Sequence, residues 1–538
     1  MIQGKGNPVF GGIAIGKIFV YKKVDTQLKQ KAADKDKELI RFHEAQDVAR
    51  AQLQELFDKT KKELGEEQSA IIDIQMMLLE DLDFVESIES MIAQGCDAAF
   101  AVNETGEAQA AMFASLEDDY MKARATDIRD ISTRLVKILL NADTSFKMTE
   151  PGILIAEDLT PSETVQLEKD KILAFVTRCG SQNSHTAILA RVMNIPSLVQ
   201  TDITINPSLD GKMMIVDGFT GTYFIDPDPD TMAKMLEKQK QAKSYKEGLE
   251  KYRGVETKTK MGQHVNLFAN IGNVEDLKYV LEGDAEGIGL LRSEFLYLGR
   301  DNFPTEEELL EKYKTVVTTM NGKRVVIRTL DIGADKQVDY FGLEHEENPA
   351  LGYRGIRICL KQRDIFRTQM RAILRASAFG PVSVMFPMII SVEEVREIKA
   401  FTEEMKAELD KEGYKYGSDL ELGIMIETPA AAIMTDVLAK EVDFFSVGTN
   451  DLTQYTLAID RQNAKLDCFY DAHHPAILRL LEMIATNGHK EGIWVGICGE
   501  LAADPTLTDT FLKMGFDELS VSPSRILELR KNIIESEV

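Results

Sequence analysis

From Gln263 to the C-terminus, short apolar runs alternate with longer amphipathic ones, and this alternation restricts the fold more than any other feature of the chain. The short runs are Val265–Asn270, Gly287–Arg292, Val325–Thr329, Val382–Pro387, Leu422–Glu427, Phe444–Gly448, Trp494–Cys498 and Glu518–Val521. Each has the length of a strand and is too short for a helix. Helical patterns separate them, for example Glu306–Met320, Val392–Lys411 and Pro475–Asn487. Strictly alternating strands and helices lead to a parallel sheet covered by its helices. Eight such units predict a (β/α)8 barrel, whose usual length is about 250 residues. An open doubly wound sheet is the alternative.

The ends of these strands are polar. Strand candidates finish in Arg292-Ser293-Glu294, Arg328-Thr329-Leu330-Asp331, Glu427-Thr428-Pro429, Asn450-Asp451 and Cys498-Gly499-Glu500. Lys336, Arg354 and Arg461 follow on connections. In a barrel, functional residues gather at the C-terminal strand ends. Several arginines facing one mouth suit a small, highly charged anion, because guanidinium forks match phosphate and carboxylate oxygens. Glu427 and Asp451 on adjacent strand ends have the character of Mg²⁺ ligands, since magnesium takes one or two protein carboxylates and completes its shell with water and substrate oxygens. Salt bridges to the arginines are the other use of these two carboxylates. Cys498 is a candidate proton donor, or an inert buried thiol.

The N-terminal half is organised differently. Gly-rich turns precede a strand at Ile13–Tyr21, and strand patterns return at Ile153–Ala156, Ile172–Val176 and Ser197–Val199, followed by a hairpin at 213–225. Residues 1–22 and 143–226 therefore form one small α/β domain. Residues 23–142 interrupt it with a helical bundle, read as four helices over 33–64, 67–94, 97–115 and 117–141; proline is absent from this stretch. Residues 227–253 form a charged helical linker to the barrel at 254–538. Within the small domain, Gly180-Ser181-Gln182-Asn183-Ser184-His185-Thr186 leads into an apolar helix closed by Asn194-Ile195-Pro196. His185 thus stands at a helix N-terminus, where free N–H groups and the dipole favour an anion.

Composition excludes other classes. A net charge of −25 speaks against general nucleic-acid binding, which needs a basic face, and suits a basic protein partner. No apolar run approaches the length of a bilayer span and no signal peptide is present, so no membrane insertion is expected. Five scattered cysteines without C-x-x-C spacing point to a reducing, cytoplasmic setting.

Taken together, the motifs resemble the family of Enzyme I of the bacterial sugar phosphotransferase system. The stretches that carry the resemblance include Ser184-His185-Thr186, Gly287–Phe295, Arg328–Lys336, Glu347–Arg354, Met425–Ala432, Gly448–Tyr455 and Cys498–Leu501. They run through nearly the whole chain in the family's order. The resemblance implies a swivelling phosphohistidine domain with an inserted helical bundle, followed by a phosphoenolpyruvate-binding and dimerising barrel. It implies that His185 takes the phosphoryl group of phosphoenolpyruvate as a tele-phosphohistidine, supported by Thr186 and Arg191, and that pyruvate is released. Arg292, Arg328, Arg461, Arg354, Lys336, Asn450 and Asp451 would bind the substrate, Glu427 and Asp451 the Mg²⁺, and Cys498 would protonate the enolate. The helical insertion would dock a small histidine-containing phosphocarrier protein through a face including Glu66, Glu67, Met77, Leu78, Asp83 and Arg124. A homodimer is implied.

Two departures stand out. Gly180-Ser181-Gln182-Asn183 replaces a loop that often reads Gly-Gly-Arg-Thr in this family, which removes an arginine near the histidine. The tail after the last strand is short. Pyruvate phosphate dikinase and phosphoenolpyruvate synthase share the phosphohistidine domain and barrel, but they need a nucleotide-binding domain for which the helical N-terminal region has no Gly-rich loop. A non-catalytic phosphosignalling scaffold would lack arginines or carboxylates at the strand ends, and all are present.

Overall fold

The computed structural model describes residues 1–21, 28–32, 34–64, 66–114, 119–140, 148–159, 163, 167–180, 186–187, 190, 195–298, 300, 302–333, 338–461, 466 and 469–538. It divides into two compact units, Met1–Lys246 and Glu247–Val538.

The first unit is built on one eight-stranded sheet. Its strands are β1 (Ile2–Lys5), β2 (Asn7–Phe10), β3 (Ile13–Val20), β4 (Gly152–Ala156), β5 (Ile172–Thr177), β6 (Ser197–Val199), β7 (Met213–Asp217) and β8 (Thr222–Ile225), in the order β1-β8-β7-β3-β4-β5-β6-β2. β3 pairs in parallel with β4, from Lys17 opposite Gly152 to Val20 opposite Ile155, so the sheet joins chain segments separated by the helices. The first two strands were read from sequence as turns. They are short sheet edges that pair with β8 and β6, and local pattern does not reveal such edges.

Between β3 and β4 run α1 (Lys35–Leu64), α2 (Glu66–Leu79), α3 (Leu82–Ala93), α4 (Ala98–Ala114) and α5 (Asp119–Leu139). Phe42, Leu53, Ile88, Ile92, Val102 and Leu135 meet in their common core. The expected single helix over 67–94 is two helices. The Asp81 carboxylate accepts the N–H of Phe84 at 3.0 Å and caps α3, which restarts the chain in a new direction. The Glu38 carboxylate likewise accepts the Ala98 N–H at 2.9 Å, at the start of α4. After β8, α6 (Pro229–Leu249) lies along the sheet, with Met235 against Ile13 and Ile215 and Lys238 paired to Asp217 at 2.6 Å.

The second unit is a closed parallel barrel of β9 (Asn266–Ile271), β10 (Gly287–Arg292), β11 (Val325–Arg328), β12 (Val382–Phe386), β13 (Glu421–Ile426), β14 (Phe444–Val447), β15 (Trp494–Ile497) and β16 (Glu518–Val521). β16 pairs with β9, which settles closure over the open-sheet alternative. Side chains alternate. Ile327, Val384, Ile424, Val447 and Ile497 pack outward against the helices. Leu290, Val326, Met385, Met425, Phe444 and Cys498 fill the inside. Among the described residues, no helix is long and apolar enough to cross a membrane.

Replacing Asp81 by Ala should lower the unfolding free energy of the helical region by about 1 kcal/mol, the usual effect of losing a side-chain N-cap. Chemical denaturation followed by circular dichroism would show it as an earlier transition with unchanged slope.

Candidate active site

The inward alternation of each strand determines which side chain reaches the mouth. In β11, Val326 faces inward and so does Arg328, two residues on; in β13, Met425 is followed by Glu427; in β15, Trp494 and Gly496 are followed by Cys498. One register therefore places a guanidinium, a carboxylate and a thiol at the C-terminal end of the barrel.

Arg328 is buried and held by carboxylates. It donates to Glu294 Oε1 at 2.6 Å and pairs with Asp331 Oδ2 at 3.1 Å. Asp331 reaches Arg354 through its other oxygen at 3.2 Å. Burial alone would weaken the Arg328 charge, but Glu294, Asp331 and Glu427 more than offset it and keep the guanidinium protonated. The buried Gln369, from the helix Arg363–Ala376, ties two of these strand ends together. It accepts the Leu330 N–H at 2.9 Å and donates to Ser293 Oγ at 2.9 Å.

Glu427 lies just beneath the mouth. Its Oε1 accepts the backbone N–H of Met388 at 2.6 Å, whereas among the described residues its buried Oε2 has no hydrogen-bond partner. Met388 has a φ of 59°, a left-handed conformation uncommon for a side-chain-bearing residue, and this aims its N–H at Glu427. Burial drives the Glu427 carboxyl pKa well up, and the negative charges of Asp331 and Asp451 add to the effect. Asp451 pairs with Arg461 at 3.2 Å, and the Asn450 side-chain oxygen accepts the N–H of Glu500 at 3.2 Å.

Cys498 is 3% exposed, and its sulfur lies 3.6 Å from the Val447 carbonyl oxygen. Burial is the main force that pushes its thiol up to about 12, which keeps it protonated at neutral pH. A thiol in this state can give a proton and is a poor nucleophile.

Arg292, Arg328, Arg354, Asn450, Asp451, Arg461 and Cys498 line one cavity of about 660 Å³. A second cavity of about 890 Å³ shares Arg292, Asn450, Cys498 and Gly499 and extends past the ends of β9, β15 and β16. The expected substrate-binding residues thus come together, except Lys336, which lies outside the described residues. His185 and Arg191 also lie outside them. Thr186 is buried, and its hydroxyl has no hydrogen-bond partner among the described residues. In the helical bundle, Glu66 and Glu67 begin α2. Met77 and Asp83 are exposed, Leu78 is half-buried against the core, and Arg124 pairs with Asp127 at 3.0 Å.

Known families match in the same order along the chain. Residues 5–124 match the N-terminal domain of PEP-utilising enzymes, 148–221 their mobile domain and 246–538 their PEP-binding domain. A phosphoenolpyruvate-protein phosphotransferase of Staphylococcus carnosus is 43% identical over 99% of this chain and 93% of its own length. The chain belongs to the phosphoenolpyruvate-protein phosphotransferase family. A member from Bacillus subtilis is also 43% identical, over 99% of this chain and 94% of its own. An NMR solution structure of Enzyme I (nEIt) covers 45% of this chain at 33% identity, with a TM-score of 0.38.

Against this family background, Glu294, Asp331, Gln369 and Met388 are the residues that sequence reasoning overlooked. Glu294 and Asp331 sit in the same polar strand-end runs as Arg292 and Arg328, so their signal was present. Gln369 was legible only as a polar residue on the apolar face of a helix, and nothing local marks Met388.

Substituting Arg328 by Met should destabilise the barrel by about 3–5 kcal/mol, because Glu294 would be left as a buried charge without its counterion and Asp331 with Arg354 alone among the described residues. Urea unfolding of the variant checks this; a loss below about 1 kcal/mol would show that water reaches these carboxylates.

Proposed function

We propose that this chain transfers the phosphoryl group of phosphoenolpyruvate to its own His185, releases pyruvate, and then passes the group to the histidine of a small phosphocarrier protein, the first step of the sugar phosphotransferase system. The observation that carries the reading is a cavity walled by four arginines with a buried, protonated thiol on the same rim. Arg292, Arg328, Arg354 and Arg461 supply the charge that a phosphate ester bearing a carboxylate requires, with Asn450 and Lys336 completing the contacts. Phosphoryl transfer asks little more of a protein than positioning and charge neutralisation.

The partnerless oxygen of Glu427 and its crowding by Asp331 and Asp451 fit a divalent cation, with Glu427 and Asp451 as the residues to hold it. Among the described residues no cluster of three or more candidate ligands occurs. Mg²⁺ takes few protein carboxylates and would supply charge neutralisation on the phosphate and enolate oxygens.

In the transfer, the phosphorus–oxygen bond of the donor breaks as His185 Nε2 bonds to phosphorus in line, giving the tele-phosphohistidine, with Thr186 and Arg191 beside it. The electron pair left on the substrate forms the enolate of pyruvate. Cys498 gives its proton to the enolate carbon, which yields pyruvate and a thiolate. His185 must then meet a second partner, so the domain that carries it swivels between barrel and carrier. The carrier docks on the helical bundle through a face including Glu66, Glu67, Met77, Leu78, Asp83 and Arg124; the exposure of Met77 and Asp83 supports this. The protein works in the cytoplasm as a homodimer formed through the barrel. The exposed Ile390, Ile433 and Met434, on connections after the neighbouring strands β12 and β13, support that assembly.

Incubation with radiolabelled phosphoenolpyruvate and Mg²⁺ should leave acid-labile, base-stable label on the protein, and His185→Ala should abolish it. Label retained in that variant would sink the assignment. Removing residues 26–140 should spare self-phosphorylation and eliminate transfer to a histidine-containing phosphocarrier; transfer that survives would give the helices another role.

A further inference from the structure

The barrel interior holds a carboxylic acid that the reaction above does not use. Glu518, at the start of β16, is 1% exposed, and among the described residues neither of its oxygens has a hydrogen-bond partner. Two glycines make room for it. A Cβ on Gly289 would lie 2.2 Å from Glu518 Oε1, and one on Gly496 would lie 1.8 Å from Oε2. The carboxyl group therefore projects into the barrel over β10 on one side and β15 on the other. A partnerless buried carboxyl is costly, and an apolar side chain of the same volume would pack there without that cost.

The register shows what the acid faces. Ser446 of β14 stands opposite Gly496 of β15, which stands opposite Glu518 of β16. Gly496 has no side chain, so no Cβ stands between Glu518 and Ser446 at that level. Cys498 is two residues further along the same face of β15. The Ser446 hydroxyl is buried, has no hydrogen-bond partner among the described residues, and is near enough to Cys498 to pull its thiol down slightly against the dominant effect of burial. Ser520, two residues above Glu518, has its own hydroxyl committed to Asn270 Oδ1 at 2.6 Å.

We propose that Glu518 is the proton store that restores the Cys498 thiol, delivering its proton through the Ser446 hydroxyl. The inference rests on Cys498 being the donor to the enolate. In the step, the Ser446 O–H proton goes to the Cys498 thiolate as the Glu518 O–H proton goes to Ser446. The thiol is re-formed, the hydroxyl is unchanged, and Glu518 is left as a carboxylate that regains a proton from solvent. Burial pushes Glu518 up to about 8, with Arg324 and Ser520 pulling it down and Asp517 pushing it up. It thus carries a proton at neutral pH and is a stronger acid than the thiol, so delivery runs downhill. Arg324 is also paired with Glu421 at 3.3 Å, so its charge is only partly directed at Glu518.

The test separates thiol chemistry from thiol recharging. In the full chain with Mg²⁺, exchange of labelled pyruvate into phosphoenolpyruvate needs no recharging, because the reverse reaction returns the proton to Cys498. Wash-in of solvent deuterium to the pyruvate methyl group, followed by NMR in D₂O, requires it. Glu518→Gln should keep the label exchange within about 2-fold of the parent and slow deuterium wash-in by about 10-fold or more, a modest loss for a removed acid. Ser446→Ala, which also removes a hydroxyl beside the thiol, should slow wash-in by about 5-fold or more beyond any loss of label exchange, and serves if the Gln variant fails to fold. Parental wash-in in either variant, or equal loss of both rates, would overturn the proposal. Undiminished label exchange in Cys498→Ala would instead remove the thiol reading on which it rests.

Discussion

The Arg328 guanidinium and its carboxylates are the interaction on which the mouth of the barrel depends. A charge buried this deeply is tolerable only when opposite charges sit against it, and Glu294 and Asp331 do so from the ends of β10 and β11. Asp331 extends the chain of charge to Arg354, on the long connection after β11. Leaving any member unpaired would cost several kcal/mol. The set therefore fixes two strand ends and a loop relative to each other, and Gln369 braces the same junction through uncharged hydrogen bonds. A rigid, pre-paired guanidinium is ready for an anion without further ordering.

Charge beneath the mouth is left unbalanced in the other sense. Glu427 has one oxygen satisfied by the backbone of Met388 and one without a partner, with two more acidic side chains raising its proton affinity. Deeper still, Glu518 lies buried between two glycines, and neither of its oxygens has a hydrogen-bond partner among the described residues. Arginines above, acids below and a buried thiol at the boundary thus stand at successive levels of one barrel.

Much of this was readable in the sequence because the barrel converts a local period into a global position. Alternation by two means that a polar residue ending an apolar strand must emerge at the mouth, so Arg292, Arg328, Glu427 and Cys498 could be assigned there before any contact was known. The same logic failed where structure depends on partners far along the chain. β1 and β2 are strands only because β8 and β6 lie beside them, and α2 and α3 separate because the Asp81 side chain turns back on its own backbone. Gln369 acquires its role from two loops that lie 39 and 76 residues away in sequence.

The sequence by itself therefore determined the alternation of strand and helix, the family and the residue types at the strand ends, since each of these follows from periodicity and from motifs contiguous in the chain, whereas closure of the barrel came from the pairing of β16 with β9. Only the tertiary structure decided which carboxylates serve as counterions and which remain without partners. Desolvation and hydrogen bonding depend on what surrounds an atom in three dimensions, and Glu294, Glu427 and Glu518, alike as letters, differ entirely in what encloses them.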